Sequence, residues 1–316
     1  MVPLLNRSST SPVSSTTRRL LDGLLTAWAA VSLTFFALRL SAGDPVAALL
    51  SNGLTTSQQA EQLRHRLGYD LPLVQQYVHY LGRLARGDLG VSLYSGQPVT
   101  ELIGSALPST LRLAGSSLLI AFPLGAVLGG VAGWGSRPVL RRLAGTLASL
   151  ATSLPVAATG VIGLLFMGRL GGADSLAPQP GLWLPATVLG WAAAGPFARA
   201  VQAGLQSTRR SPFILAARAR GLRQNGRLLW HAVRPTLPAI ASLLAVEVAF
   251  LFAGTVVIET VFSRPGLGRI LVRSILQGDF PIAQALVGMS ALFYLATQVV
   301  ADSLARSADP RLRGPA

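Results

Sequence analysis

Few residues in this 316-residue chain could make or break a bond. There is no cysteine, which excludes a disulfide framework, a thiolate metal site and a thiol nucleophile. All 27 basic residues are arginine, so the phosphate-binding loop GxxxxGK[ST] cannot be written and the chain carries no P-loop ATPase of its own. His65, His79 and His231 are scattered over three segments and cannot gather round a metal. No nucleophile, base and orienting group stand together, so the reading is of a protein that is not an enzyme and uses no cofactor. What the sequence does offer is charge in unusual places. Glu247 lies between Val246 and Val248 in a long apolar run, where an ionisable group is costly and by default faces an interior. It either lines a path and attracts a cationic group, or is protonated and hydrogen-bonded to a neighbouring helix.

The elements around these residues follow from composition. Hydrophobic residues make up 51% of the chain and charged ones only 12%, about half the usual share for a water-facing domain. The net charge of +15 does not form one basic face, because the arginines lie between apolar runs; nucleic acid is not expected as a partner. Six stretches reach the ~20 apolar residues that a bilayer requires: 23–40, 111–134, 143–167, 182–205, 237–258 and 283–301. The fold class is therefore an all-α membrane protein with six transmembrane helices. Gly129, Gly130 and Gly133 would let the second span touch a neighbour closely. The fourth is interrupted by Pro196 and by Arg199, which can snorkel to the nearby end. Asp302 is a surface group near the inner end of the sixth.

Arginine-rich short loops stay on the cytoplasmic side. Arg7, Arg18 and Arg19 precede the first span, and Arg137, Arg141 and Arg142 fill the link between the second and third. Seven arginines from Arg209 to Arg234 fill the link between the fourth and fifth. Both termini are then cytoplasmic. Residues 1–19 and 306–316 read as tails, the first disordered, flanking a transmembrane domain at 20–305.

Two loops are too distinctive to be plain connectors. The external segment 41–108 looks partly helical over 58–67 and 73–84, and is either a cap on the bundle or a docking surface for a soluble partner. The cytoplasmic segment 209–238 begins with Ser211-Pro212, a helix start in which the serine oxygen caps free N–H groups. Phe213, Ala216 and Ala217 would share one face, and Gly221 would close the helix. A second short helix near Gln224 would follow, with Pro235 and Pro238 opening the fifth span. From spacing alone, the segment either presents an apolar ridge to another protein or lies under lipid headgroups as a basic amphipathic element.

At this elbow the run from Phe213 to Gly221, with Ala216-Ala217, three spacers and Gly221, resembles the coupling segment of binding-protein-dependent ABC importer permeases. The resemblance is specifically to the dipeptide/oligopeptide/nickel family. Leu215 stands where the general motif has glutamate, a departure common in that family. Other stretches agree in order: Gly43-Asp44-Pro45, Leu67 to Pro72, Gly87 to Gly90, Leu107-Pro108, Glu259 to Phe262 and Pro265-Gly266-Leu267-Gly268. The match runs over roughly 20–313.

The resemblance implies a type I ABC importer permease fold in the bacterial inner membrane. It also implies a second, homologous permease subunit, two cytoplasmic ABC ATPases and an extracytoplasmic substrate-binding protein. Phe213, Ala216, Ala217, Arg220 and Gly221 would couple to the ATPase, and Glu247 would line the path. Asp70, Asp88 and Arg264 would serve external docking on the 41–108 and 259–282 surfaces. The substrate would be a peptide, a nickel chelate or a similar small solute, with no metal ligated by the chain itself. Two rival readings are a secondary transporter, disfavoured by the lack of an inverted repeat, and a membrane scaffold or sensor that does not transport.

Overall fold

The structure, a computed structural model, describes residues 12–41, 44–51, 53, 55–171 and 181–308. In chain order the helices are α1 (Pro12–Ser41), α2 (Pro45–Ser51), α3 (Ser57–Leu67), α4 (Leu73–Ala85), α5 (Val99–Trp134), α6 (Pro138–Ser153) and α7 (Val156–Gly171). Then come α8 (Trp183–Arg209), α9 (Pro212–Ala219), α10 (Gln224–Arg227), α11 (Val233–Val261), α12 (Leu267–Gln277) and α13 (Phe280–Ala308). Extended pairing among the described residues is limited to one isolated bridge, Val91 with Pro98.

Among the described residues, three segments are long and apolar enough to cross a membrane unaided: Leu21–Leu40, Val99–Trp134 and Phe280–Val300. Leu33 and Leu119 stand 72% and 77% exposed on them, an arrangement that lipid tolerates and water does not. The third span, expected as one rod over 143–167, is instead broken: α6 and α7 meet at 103°. Pro155 is the cause. The ring of a proline excludes the residue before it from helical backbone, and Leu154 is extended at φ −84°, ψ 125°. Pro196 does not break α8, which runs on through it for 27 residues.

Two further expectations change at the ends. Helix α1 starts at Pro12, so the part of the tail at 12–19 is helical rather than disordered. A nucleated span extends cheaply by further turns. The rest of that tail and residues 309–316 lie outside the described residues. The short helix near Gln224 is not separate: α10 passes through a π turn at Leu228–Ala232 straight into α11. Pro235, one turn on, has no N–H to return to that turn, which suits a widened backbone there.

The spine of the bundle is the seam between α5 and α8. A Cβ on Gly129 would lie 2.4 Å from the Ala198 carbonyl oxygen, and one on Gly125 2.5 Å from the Phe197 ring. At Gly133 it would meet the Gln202 carbonyl and Leu205 at 3.0 Å. Spaced by four, the three glycines line one helix face and let the backbones touch, which is how helices associate where no water drives them together. Gly130 faces open space, so the close contact belongs to Gly125, Gly129 and Gly133. Against this seam α11 packs Leu251, Ile258 and Phe262, together with Leu113 and Leu189, into the largest apolar cluster.

At the Arg39 end of α1, α4 is pinned to it. Arg39 donates from Nε to Gln76 Oε1 at 2.8 Å, and its guanidinium lies 3.5 Å from the centroid of Phe35. Tyr80 stacks on the same ring, and burial pushes its phenol up to about 12. Helix α3 opens with a capping box between Thr56 and Gln59 and closes on Gly68. The described residues between 44 and 108 thus form a helical cap.

The seam makes a direct test. Gly129→Ala is expected to cost about 1–3 kcal/mol of stability, because its methyl would be driven into a backbone carbonyl. Gly130→Ala should be neutral or slightly stabilising. Thermal unfolding midpoints of the two variants in detergent check this; equal midpoints would contradict the seam.

Candidate functional site

The elbow at 209–238 grows from the end of the seam. Helix α8 ends at Arg209, and Ser211 takes extended backbone at φ −75°, ψ 142°, with Pro212 at the first helical position. Ser211 does not cap the helix with its side chain, as its sequence position suggests. Its hydroxyl turns back and donates to the Ser207 carbonyl at 3.4 Å. In α9, Ile214 and Ala217 point inward, while Phe213, Leu215 and Ala216 are exposed. The expected ridge therefore divides. Phe213, Ala216 and Arg220, at helical spacings of three and four, face outward, and Ala217 belongs to the buried side.

Ile214, unremarked in the sequence reading, is the anchor. It packs with Trp134 of α5, Phe197, Val201 and Leu205 of α8, and Ala232 of the π turn. Gln224 adds a polar tie, donating to the Trp134 carbonyl at 3.1 Å. The helix closes at Gly221, whose φ of +79° is the left-handed conformation open to glycine, with Leu222 N–H donating to the Ala217 carbonyl at 3.2 Å. A Cβ there would meet nothing within 4 Å, so the requirement is conformational, not spatial. The result is a short helix clamped to α5 and α8, with Phe213 45% and Leu215 59% exposed on its free side.

Glu247 lies in the middle of the bundle, 7% exposed, in a recess walled by Leu118, Phe122, Ala193, Phe197 and Leu251. Its Oε2 receives no hydrogen bond from any described residue. A void of about 10 Å³ adjoins it, near the lower limit for one water molecule. The carboxyl thus faces an interior, and the bond to a neighbouring helix is not seen at this oxygen.

The three residues expected at a docking surface are used locally. Asp70 is bonded to His65 Nδ1 at 2.7 Å, which holds its carboxyl below the ordinary value. Asp88 accepts from the Gly90 N–H at 2.8 Å, shaping its own turn. Arg264 is half-buried, and its N–H donates to the Glu259 carbonyl at 2.9 Å.

Glu259 is the residue whose role was missed. It is fully buried; its carboxylate accepts from Thr110 Oγ1 at 2.6 Å, from Gly268 N–H at 2.8 Å and from Arg269 N–H at 3.4 Å. Thr110 Oγ1 in turn accepts from the Leu267 N–H at 2.9 Å. One carboxylate therefore closes the start of α12 and ties it to the outer ends of α5 and α11. The glycines beside it are steric necessities: a Cβ on Gly266 would fall 2.2 Å from the carboxyl carbon, and one on Gly268 2.3 Å from Val256 Cα. The Pro265-Gly266-Leu267-Gly268 run, one of the stretches that carry the resemblance, is this helix start. Nearby, Asp279 accepts from Ser92 Oγ at 2.6 Å and from Leu93 N–H at 3.2 Å, docking the 88–98 turn on the end of α12.

Long apolar helices packed along a close seam, with a short clamped helix at one end and a helical cap at the other, form the all-helical architecture of a membrane subunit. In solved structures, a chain of the MetNI methionine ABC transporter, in inward-facing form, superposes with a TM-score of 0.58. The match covers 66% of this chain and 97% of that one at 18% identity. A chain of a bacterial ABC transporter that imports alginate gives 0.54, covering 79% and 98% at 19% identity. These likenesses establish the type I permease fold.

Residues 121–314 match the binding-protein-dependent transport system inner membrane component family, and the chain belongs to that family. It is 34% identical over 298 residues to the dipeptide transport system permease protein DppB of Lactococcus lactis subsp. cremoris, covering 92% of this chain and 96% of that protein. It is 32% identical over 306 residues to the glutathione transport system permease protein GsiC of Escherichia coli O6:H1, covering 94% and 97%. The chain is accordingly a permease subunit of an ABC importer in the bacterial inner membrane, a transporter and not an enzyme. Family membership implies an ATPase and a substrate-binding protein as partners.

Removing the Glu259 carboxylate should be severe. Glu259→Ala leaves several buried donors unpaired, at about 1–3 kcal/mol each, whereas Thr110→Ser keeps the bridging hydroxyl and should cost far less. Thermal unfolding of the two variants measures the difference, and an unaltered midpoint for Glu259→Ala would refute the tie.

Proposed function

We propose that this subunit forms half of a path for peptides or a similar small solute, beside a second, homologous permease, and is driven by two cytoplasmic ATPases. On this reading α1, α5, the bent α6–α7 pair, α8, α11 and α13 are six spans within a transmembrane domain at 20–305, with both termini cytoplasmic. At about 1.5 Å per residue, the 27 residues of α8 and 29 of α11 are each longer than the hydrocarbon core. The observation that carries the proposal is the elbow: α9 is held by Ile214 and Gln224 yet leaves Phe213, Leu215 and Ala216 exposed. A groove on an ATPase would receive Phe213, Ala216 and Arg220, while Gly221 fixes the angle. ATP-driven closure of the ATPases would shift α9 as a rigid body and with it the ends of α5 and α8.

The binding protein would dock on the helical cap at 44–108 and on 259–282, where Asp70, Asp88 and Arg264 lie. Peptides are favoured as cargo because the relatives' names specify dipeptides and glutathione, both of which carry an amino group that a carboxylate attracts. Glu247 is the carboxylate placed to do so; no group of three or more histidines or acids suited to a metal occurs among the described residues.

Two variants probe this in the importer reconstituted with its partner subunits. Phe213→Ala changes an exposed side chain, so stability should stay within about 0.5 kcal/mol. Uptake should fall at least tenfold as ATP hydrolysis ceases to respond to loaded binding protein. Normal uptake would end the coupling assignment. Glu247→Gln should slow import of substrates with a charged amino terminus more than that of N-acetylated ones; equal effects on both would remove the electrostatic role.

A further inference from the structure

At the arginine-rich end a second cleft, of about 730 Å³, opens between α6 and α8, within the size range of small-ligand sites. Arg141 and Arg142 stand at its mouth; Thr146 and Ser149 of α6 and Gln202 and Gln206 of α8 line its walls. No acidic residue lines it. Arg141 has a buried Nε with no hydrogen-bond partner, a donor left unmatched within the chain. The start of α6 adds to the same field: Arg137 makes no side-chain cap, and the first turn holds no acid to offset its exposed N–H groups. Two guanidiniums, an unneutralised helix start and uncharged hydrogen-bonding side chains describe a receptor for a phosphate-bearing anion. The polar wall descends from Arg142 to Ser149, seven residues or about 10 Å along the helix, so the anion must carry hydrogen-bonding groups beyond its phosphate.

We propose that this cleft binds the headgroup of an anionic phospholipid from the cytoplasmic leaflet, with the phosphate on Arg141 and Arg142 and the glycerol portion against Thr146, Ser149 and Gln202. The position argues for lipid over a freely dissolved phosphate. The arginines belong to the short link between α5 and α6, which the arginine rule sets at the cytoplasmic membrane surface, where anionic headgroups concentrate. Gly145 leaves the cleft open: a Cβ there would meet nothing within 4 Å. A bulky residue would therefore fill the site without disturbing the helix packing, which separates occupancy from folding. The assignment is independent of the coupling role of α9 and of the identity of the cargo.

The test uses the assembled importer, purified in detergent and titrated with phosphatidylglycerol or phosphatidylcholine while bound lipid is counted by native mass spectrometry. Phosphatidylglycerol is expected to bind at one site per copy of this chain, at least tenfold more tightly than phosphatidylcholine. Arg141→Gln with Arg142→Gln should weaken it at least tenfold, and so should Gly145→Phe, which keeps both charges. Arg142→Lys, which preserves charge, should retain most of the binding. Equal affinity in the wild type and in Gly145→Phe would overturn the site. Displacement of phosphatidylglycerol by inorganic phosphate at similar concentration would overturn the lipid assignment in favour of a dissolved anion. Absence of bound lipid in the assembled importer would show that a partner subunit covers the cleft, and would also overturn the proposal.

Discussion

The close approach of α5 and α8 is the contact on which the rest depends. Gly125, Gly129 and Gly133 bring one backbone against the other at distances no side chain could share. Within a bilayer, apolar side chains gain little by leaving lipid for protein, so this intimate packing supplies the adhesion that burial supplies in water. Three places with a role then lie at three heights on the same assembly. Thr110 meets Glu259 toward one end, Ala121 faces Glu247 midway, and Trp134 receives Ile214 at the other end. From Thr110 to Trp134 is 24 residues, about 36 Å of unbroken helix. A displacement at one end of such a rod has few ways to be absorbed before it reaches the other.

The two buried glutamates of α11 show how context assigns a charge its part. Glu259 is surrounded by donors, three of them bonded to its oxygens, and Gly266 presses against it. That is a carboxylate spent on architecture. Glu247, twelve residues earlier and about 18 Å away along the helix, meets leucine, phenylalanine and alanine, with one oxygen unmatched. A buried polar group without a partner is expensive, and such a cost is retained where something other than stability benefits. The contrast supports giving the transport role to Glu247 and the structural one to Glu259.

The legible and illegible parts of the sequence divide along physical lines. Apolar length announced the long helices, because it depends on composition summed over many residues. Gly221 was legible too, since a glycine closing a short helix has one common conformational use. The break at Leu154-Pro155 was overlooked because the apolar run continues through it, although the proline itself was a fair warning. Which glycines touch a neighbour depends on the facing helix, so Gly130 was included and Gly125 omitted. Likewise Ile214 and Ala217 look no different from Phe213 and Ala216 until α5 and α8 cover one side of α9. Glu259 was hidden by long-range geometry: its partner Thr110 is 149 residues away. Its one local signal was the glycine pair at 266 and 268, which a helix start crowded against a side chain would need.

These constraints also locate where the molecule can yield. The α5–α8 seam cannot slide without driving carbonyls into side chains, and α9 cannot swing freely while Ile214 is packed against that seam. Compliance is left to the irregular joints: the extended Leu154 before Pro155, the left-handed Gly221 and the π turn at 228–232. The last two lie between α9 and α11, so a push on the proposed coupling helix would reach α11 through joints while reaching α5 and α8 through rigid contact. Relative movement would then fall between α11 and the seam, and the recess of Glu247, bounded by α5, α8 and α11 together, lies on that boundary. A carboxyl in an apolar recess with one oxygen unmatched is poised to gain from any opening there, because a polar group or water that enters would supply the missing hydrogen bond.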